Sequence, residues 1–235
     1  MFILHNGDNT PFMKSLKDGE FDCLITDPPY GLIAHNMRNA VGFMNIDWDI
    51  APASDEQIAE CLRVSKSQII WGGNYFNLPP ARCMLIWDKG EAMYRRSWAE
   101  CEIAWTSFDE VSRIFKTGKR EEKEHPTQKP LTLMRWCIEN YTKPGDTVFD
   151  PFMGSGTTGI ACLELGRKFV GCEISAEYFL VAEKRLKLAA QSPSFYTPSN
   201  NRLHLDVGDS PAQKDLFTLE AGSAAGKSPK PAPRR

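Results

Sequence analysis

Short apolar runs alternate with amphipathic stretches as far as about residue 190, and the pattern fades beyond it. Residues 2–4 predict a strand and residues 10–18 a short helix. Phe21 to Thr26 (FDCLIT) predicts a compact buried strand that stops at Asp27-Pro28-Pro29. Residues 54–65 open on Ser54, an N-cap residue with Gln57 three positions later. They carry Ile58, Cys61 and Leu62, which predicts a helix with a capping box. Strands follow at 68–71, stopped by Gly72-Gly73, and at 83–87; residues 102–105 and 111–115 predict an antiparallel pair. A helix is expected from Pro130 to about Tyr141, with Leu131, Leu133, Met134, Cys137 and Ile138 on its apolar side. Strand 147–150, helix 157–165, strand 169–173 and helix 176–189 complete the series. The β-α-β unit over 146–173 is the clearest local signal. Such alternation implies an α/β fold, a mainly parallel sheet with helices on both faces. No internal repeat is visible.

Length and composition narrow the picture. At ~150 residues per domain, 235 residues predict one core domain plus an insertion or a tail. The expected division is a single domain over 1–190, with insertions at 31–48 and about 90–124, and a C-terminal extension over 191–235. Residues 222–235 (GSAAGKSPKPAPRR) hold four basic residues and no acid, and read as a flexible basic tail, with a DNA-clinging arm as the alternative. Apolar residues make up 42% and charged residues 25%, which excludes a disordered or fibrous body. No run of ~18 uncharged apolar residues is present, so no membrane span is expected. MFILHNGD reaches Asp8 too soon for a signal-peptide core. The net charge of -2 gives no bulk argument for a nucleic-acid partner, so any such argument must come from local clusters. No two of the seven cysteines stand two to four residues apart. Zinc spacing is therefore missing, no metal is expected, and the cysteines read as reduced core residues of an intracellular protein.

Candidate chemistry sits in two places. Gly154, Gly156 and Gly159 follow the strand 147–150 and open the next helix, with the G-x-G-x-x-G spacing that brings backbone close to a ligand. Glu173 ends the following strand, where an acid can accept hydrogen bonds from ribose hydroxyls. The spacing alone does not separate a nicotinamide dinucleotide from another adenosine cofactor. Asp150 at the strand tip would oppose a pyrophosphate but suit an ammonium group, and Lys129 in HPTQKP is placed for a carboxylate. An amino acid joined to adenosine is S-adenosylmethionine.

The second place is Asp27-Pro28-Pro29-Tyr30, at the carboxyl end of a buried strand, where open α/β sheets bind ligands. Two prolines remove two backbone donors and stiffen the path. An acceptor-rich corner remains, the Asp27 carboxylate and the Pro28 carbonyl, beside the flat face of Tyr30. Two acceptors aimed at the two N–H bonds of a nucleobase amino group favour a pyramidal nitrogen with a freed lone pair. An aromatic ring can stack on the base and hold it. In-line attack on a sulfonium methyl then needs mainly positioning and charge stabilisation.

With LITDPPYG (24–31), HPTQKP (125–130), VFDPFMGSGTTG (148–159) and VGCEIS (170–175), the chain resembles the amino-group DNA methyltransferases. The catalytic corner precedes the glycine turn, as in the circularly permuted β group, and Asp in the first corner position resembles the adenine-N6 type. The resemblance implies a seven-stranded Rossmann-like methyltransferase sheet with one antiparallel strand. It implies that Asp27, Pro28, Pro29 and Tyr30 carry catalysis. It implies that Asp150, Phe152, Gly154, Ser155, Gly156 and Thr157 line the methionine side of S-adenosylmethionine, that Thr127 and Lys129 lie near its carboxylate, that Glu173 meets the ribose, and that Asp8 lies near the adenine.

Asp27 cannot reach an amino group inside a duplex, so base flipping of double-stranded DNA is implied. Three segments are candidates for gripping DNA. Residues 31–46 hold no acid and contribute His35, Asn36 and Arg38. The YRRSW segment contributes Arg95 and Arg96. SRIFKTGKR contributes Arg113, Lys116, Lys119 and Arg120, each able to neutralise phosphate or read guanine. The interval in which relatives carry a sequence-reading domain, roughly 108–124, is short here, and a homodimer is one way to supply what it lacks. The expectation is a site-specific adenine-N6 DNA methyltransferase of the restriction-modification kind, dependent on S-adenosylmethionine and cytoplasmic in a bacterium or encoded by a phage. A cytosine-N4 enzyme, a non-catalytic nucleic-acid-binding module and an NAD-dependent oxidoreductase are the alternatives.

Overall fold

A computed structural model describes residues 1–31, 51–96, 99–116 and 129–191. Eight strands among them form one sheet: β1 (Phe2–Asn6), β2 (Cys23–Thr26), β3 (Gln68–Trp71), β4 (Met84–Asp88), β5 (Cys101–Thr106), β6 (Arg113–Lys116), β7 (Thr147–Asp150) and β8 (Lys168–Glu173). Their lateral order is β1-β8-β7-β2-β3-β5-β4-β6. β5 alone runs against its neighbours. Five helices join them: α1 (Asn9–Lys14), α2 (Asp55–Arg63), α3 (Leu131–Tyr141), α4 (Thr157–Glu164) and α5 (Ala176–Gln191).

The central strands are apolar without alternation because both faces of a parallel sheet are covered. Leu24, Ile25, Ile69, Ile70, Val148 and Phe149 are fully buried. The chain leaves β7 through α4 and steps to β8 on one side, but leaves β2 through α2 and steps to β3 on the other. Right-handed crossovers stepping in opposite directions lie on opposite faces of the sheet. Helices therefore cover both faces, and the direction of winding reverses between β7 and β2. That reversal opens the crevice in which doubly wound sheets bind ligands.

Local chemistry sets the helix ends. Ser54 accepts from the backbone N–H of Gln57 at 3.2 Å and the Gln57 side chain accepts from the N–H of Ser54 at 3.0 Å, so the expected capping box of α2 is present. α1 is shorter than expected and ends at Lys14, where the Ser15 hydroxyl donates to the Phe12 carbonyl.

The described residues form eight strands, as many as the apolar runs predict and one more than the resemblance implied. One expectation is corrected. Residues 102–105 and 111–115 do not pair with each other. Both edges of β5 are taken, one by β3 and the other by β4, so β6 can pair only with the remaining edge of β4, to which it runs parallel. Six of the seven cysteines are buried and all are free. No cluster of metal-ligating side chains occurs among the described residues, and no helix among them is long and apolar enough to cross a membrane.

Candidate active site

The carboxyl ends of β2 and β7 meet at the winding reversal, and a cavity of about 400 Å³ opens there. Asp27 to Tyr30 follow β2 on one wall, and Asp150 to Ser155 follow β7 on the other. Glu173 at the tip of β8, with Gly7 and Asp8 after β1, closes the far end. The sequence keeps these segments far apart; the parallel sheet lines up their ends.

A hydrogen bond ties the two walls together. The Thr26 hydroxyl donates to Asp150 Oδ1 at 2.7 Å, while the Thr158 hydroxyl donates to Oδ2 at 2.8 Å and the Phe152 N–H to Oδ1 at 3.1 Å. Burial pushes the Asp150 carboxyl up to about 6, against the pull of these donors. The turn beyond it needs glycine. Gly154 and Gly156 have φ of +52° and +79°, and a Cβ on Gly156 would stand 3.1 Å from that of Ala182 on α5. Arg185 on α5 donates to the Ser155 carbonyl at 2.6 Å and fixes the turn from behind. Glu173 accepts from the Gly154 N–H at 3.0 Å on one oxygen and from the Ser175 N–H at 2.8 Å on the other. Each oxygen keeps acceptor capacity, since a carboxylate offers about four lone-pair sites.

The Asp27 corner is equally fixed. Tyr30 Oη donates to Asp27 Oδ1, and Lys129 Nζ donates to Oδ2 at 2.5 Å. The Pro29 carbonyl takes the Ala53 N–H at 3.0 Å, while no donor among the described residues reaches the Pro28 carbonyl. The Tyr30 ring lies on Gly72, whose φ is +66°; the Cβ of any other residue would stand 2.0 Å from the ring's Cε1. Tyr75 stacks on Tyr30 with centroids 5.0 Å apart, and Phe76 meets it edge-on at 6.1 Å. Lys129, only 9% exposed, also lies 2.9 Å from Glu102 Oε2. Burial pushes the Asp27 carboxyl up, with Lys129 opposing the shift. Burial also pushes the Glu102 carboxyl up, but the Lys129 and Lys89 ammonium groups outweigh it and hold Glu102 at about 2.

Most of the residues singled out from the sequence thus meet in one cavity: Asp27, Pro28, Pro29, Tyr30, Asp8, Lys129, Asp150, Phe152, Gly154, Ser155, Thr157 and Glu173 line it, and Gly156 caps α4 beside it. Arg95 and Arg96 are exposed in the β4–β5 connection, and Arg113 and Lys116 lie on the edge strand β6, none of them on the cavity wall. His35, Asn36, Arg38, Lys119, Arg120 and Thr127 lie outside the described residues. Sequence reasoning passed over Trp71, Tyr75, Glu102 and Lys89. The signal for Glu102 was present, as a lone acid in the apolar run of β5.

The pattern of the DNA methylase family matches residues 66–184, which is 119 of the 235 positions and just over half of the chain. The chain belongs to the DNA methylase family. The methylase is 27% identical over 239 residues to the type II methyltransferase M2.DpnII of Streptococcus pneumoniae, covering 79% of this chain and 89% of that one. A stretch of 70 residues is 47% identical to the DNA adenine methyltransferase YhdJ of Escherichia coli K12, covering 30% of this chain and 24% of that one. Among solved structures, the M1.HpyAVI–SAM complex superposes with a TM-score of 0.53 and is 28% identical, covering 79% of the methylase and 99% of that chain.

Proposed function

We propose that this methylase transfers a methyl group from S-adenosylmethionine to the N6 amino group of an adenine turned out of double-stranded DNA. The carrying observation is that the Asp27–Tyr30 corner and the glycine turn with Glu173 face one cavity. The residues present suit the cofactor. Glu173 has acceptor capacity left for ribose hydroxyls, and the buried indole N–H of Trp71, a residue on the cavity wall, finds no acceptor among the described residues. A cradle of left-handed glycines brings bare backbone to the wall. When bound, S-adenosylmethionine supplies an electrophilic sulfonium methyl.

The chain's own residues do the rest. Glu173 holds the ribose and Asp8 the neighbourhood of the adenine. Asp150, Phe152, Gly154, Ser155, Gly156 and Thr157 line the methionine side, whereas the Lys129 ammonium, expected near the methionine carboxylate, is held instead between Asp27 and Glu102. Tyr30, backed by Tyr75 and seated on Gly72, offers the target base a fixed aromatic face. Asp27 and the Pro28 carbonyl accept the two amino N–H bonds and leave the nitrogen lone pair directed at the methyl. Asp27, whose carboxyl burial pushes up, then takes the proton that the methylated nitrogen sheds. Arg95, Arg96 and Lys116 are exposed cations available to phosphates, while Arg113 is half-buried.

Asp in the first corner position, and the 47% identity to an enzyme named an adenine methyltransferase, favour adenine over cytosine. The corner-before-turn order fits the permuted β group. The test is incubation with tritiated methyl donor and unmethylated duplex DNA, followed by nucleoside analysis. Label in N6-methyladenine is expected. Label in cytosine alone would move the target to N4, and no label despite cofactor binding would overturn the reading.

A further inference from the structure

Four charged groups are linked by successive ion pairs: Asp27, Lys129, Glu102 and Lys89. Lys129 Nζ sits 2.5 Å from Asp27 Oδ2 and 2.9 Å from Glu102 Oε2, and Lys89 Nζ sits 2.7 Å from Glu102 Oε1. Asp27 and Lys129 line the cavity, whereas Glu102 and Lys89 do not. Glu102 lies on β5, the one antiparallel strand among the described residues, and meets Lys129 without lining the cavity.

In this arrangement both oxygens of Asp27 already carry a donor, Tyr30 Oη on Oδ1 and Lys129 Nζ on Oδ2. An amino group arriving at Oδ2 brings a neutral N–H, a weaker donor than an ammonium. Oδ2 keeps a further lone pair, as the Glu173 oxygens do, so the amino group can share it; the more closely it approaches, the more the buried ammonium must draw back, and it can do so only towards another anion, because a buried charge stripped of its partner is strongly unfavourable. Glu102 is that anion, within reach at 2.9 Å and steadied on its other oxygen by Lys89.

We infer that Glu102 is a positioning residue for methyl transfer, sharing the Lys129 ammonium with Asp27 and taking it over when the substrate amino group reaches Oδ2. Lys129 remains protonated throughout and no bond is made or broken at Glu102. The role rests on the methyltransferase reading above.

The test is a double-mutant cycle on the full-length protein, read by single-turnover methyl transfer and by S-adenosylmethionine affinity in calorimetry. Glu102→Gln should bind the cofactor within about threefold of the parent yet lose about tenfold or more in transfer rate, and Glu102→Asp should recover most of that loss. Lys129→Met lacks the ammonium on which Glu102 acts, so Glu102→Gln added to it should change the rate by less than about twofold. Glu102→Asp keeps an anion between Lys129 and Lys89, so its recovery of the rate can be read even where loss of the Lys89 partner destabilises Glu102→Gln. A Glu102→Gln rate within about twofold of the parent would overturn the role, as would a loss of equal size in both backgrounds. A parent that binds the cofactor but transfers no methyl group overturns the methyltransferase reading and this role together. An active parent that tolerates Glu102→Gln overturns this role alone.

Discussion

Asp150 is the residue through which the two walls of the cavity communicate. It receives Thr26 from the wall that carries Asp27 and Thr158 and Phe152 from the wall that carries the glycine turn, while burial holds its carboxyl at about 6 against an ordinary 3.8. A carboxyl whose pKa is higher folded than unfolded binds its proton more tightly when folded. Its stabilising contribution is therefore complete below pH 3.8 and is lost as the pH rises through about 6. Between those limits the unfolding free energy of the parent should fall relative to that of Asp150→Asn by about 2–3 kcal/mol, as measured by urea titration at a series of pH values. Parallel pH curves for the two proteins would count against the buried, raised carboxyl.

Gly72 matters for a different reason. The Tyr30 ring occupies the space a side chain would need, at a backbone φ of +66°. Gly72→Ala should therefore shift Tyr30, lowering methyl transfer by roughly tenfold or more while cofactor affinity stays within about threefold. Parallel loss of both would instead indicate general unfolding.

At the scale of elements, α2 shows how a helix terminus serves the site. Its capping box fixes Gln57, whose side-chain amide donates to Asn9 Oδ1 at 2.9 Å, and Asn9 in turn donates to the Pro151 carbonyl at 2.9 Å. Ser54→Ala should cost about 1 kcal/mol in urea unfolding, the usual value of an N-cap hydroxyl. A loss below about 0.3 kcal/mol would mean that the cap is not formed in solution.

The elements themselves were largely legible. Short apolar runs mark the strands, several of them bounded by Gly or Pro, and Ser54 with Gln57 marks the start of α2, because these signals are local. The partner of Val111–Phe115 was not legible. Periodicity identifies a strand but not its neighbour, and here the deciding fact is that β3 and β4 already occupy both edges of β5. The site divides in the same way. The corner at Asp27, the glycine turn and Glu173 announce themselves by residue type and spacing. The pairing of Lys129 with Asp27 and Glu102 and the seat of Tyr30 on Gly72 arise only when distant segments are brought side by side.

At the scale of the whole molecule, the winding reversal between β7 and β2 converts a sequence order into a chemical neighbourhood. The Asp27 corner comes early in the chain and the glycine turn late, yet Cys23 pairs with Val148 and Leu24 with Phe149, so the two strand tips stand side by side. The exposed cations on the β4–β5 connection and on β6 lie outside that crevice. Methylation-aware sequencing of DNA from cells expressing either the parent or Asp27→Ala is the most direct measurement of the central claim. It should show N6-methyladenine at a short recurring site with the parent and background levels with Asp27→Ala. Equal adenine methylation in the two cultures, or modification of cytosine alone, would contradict it.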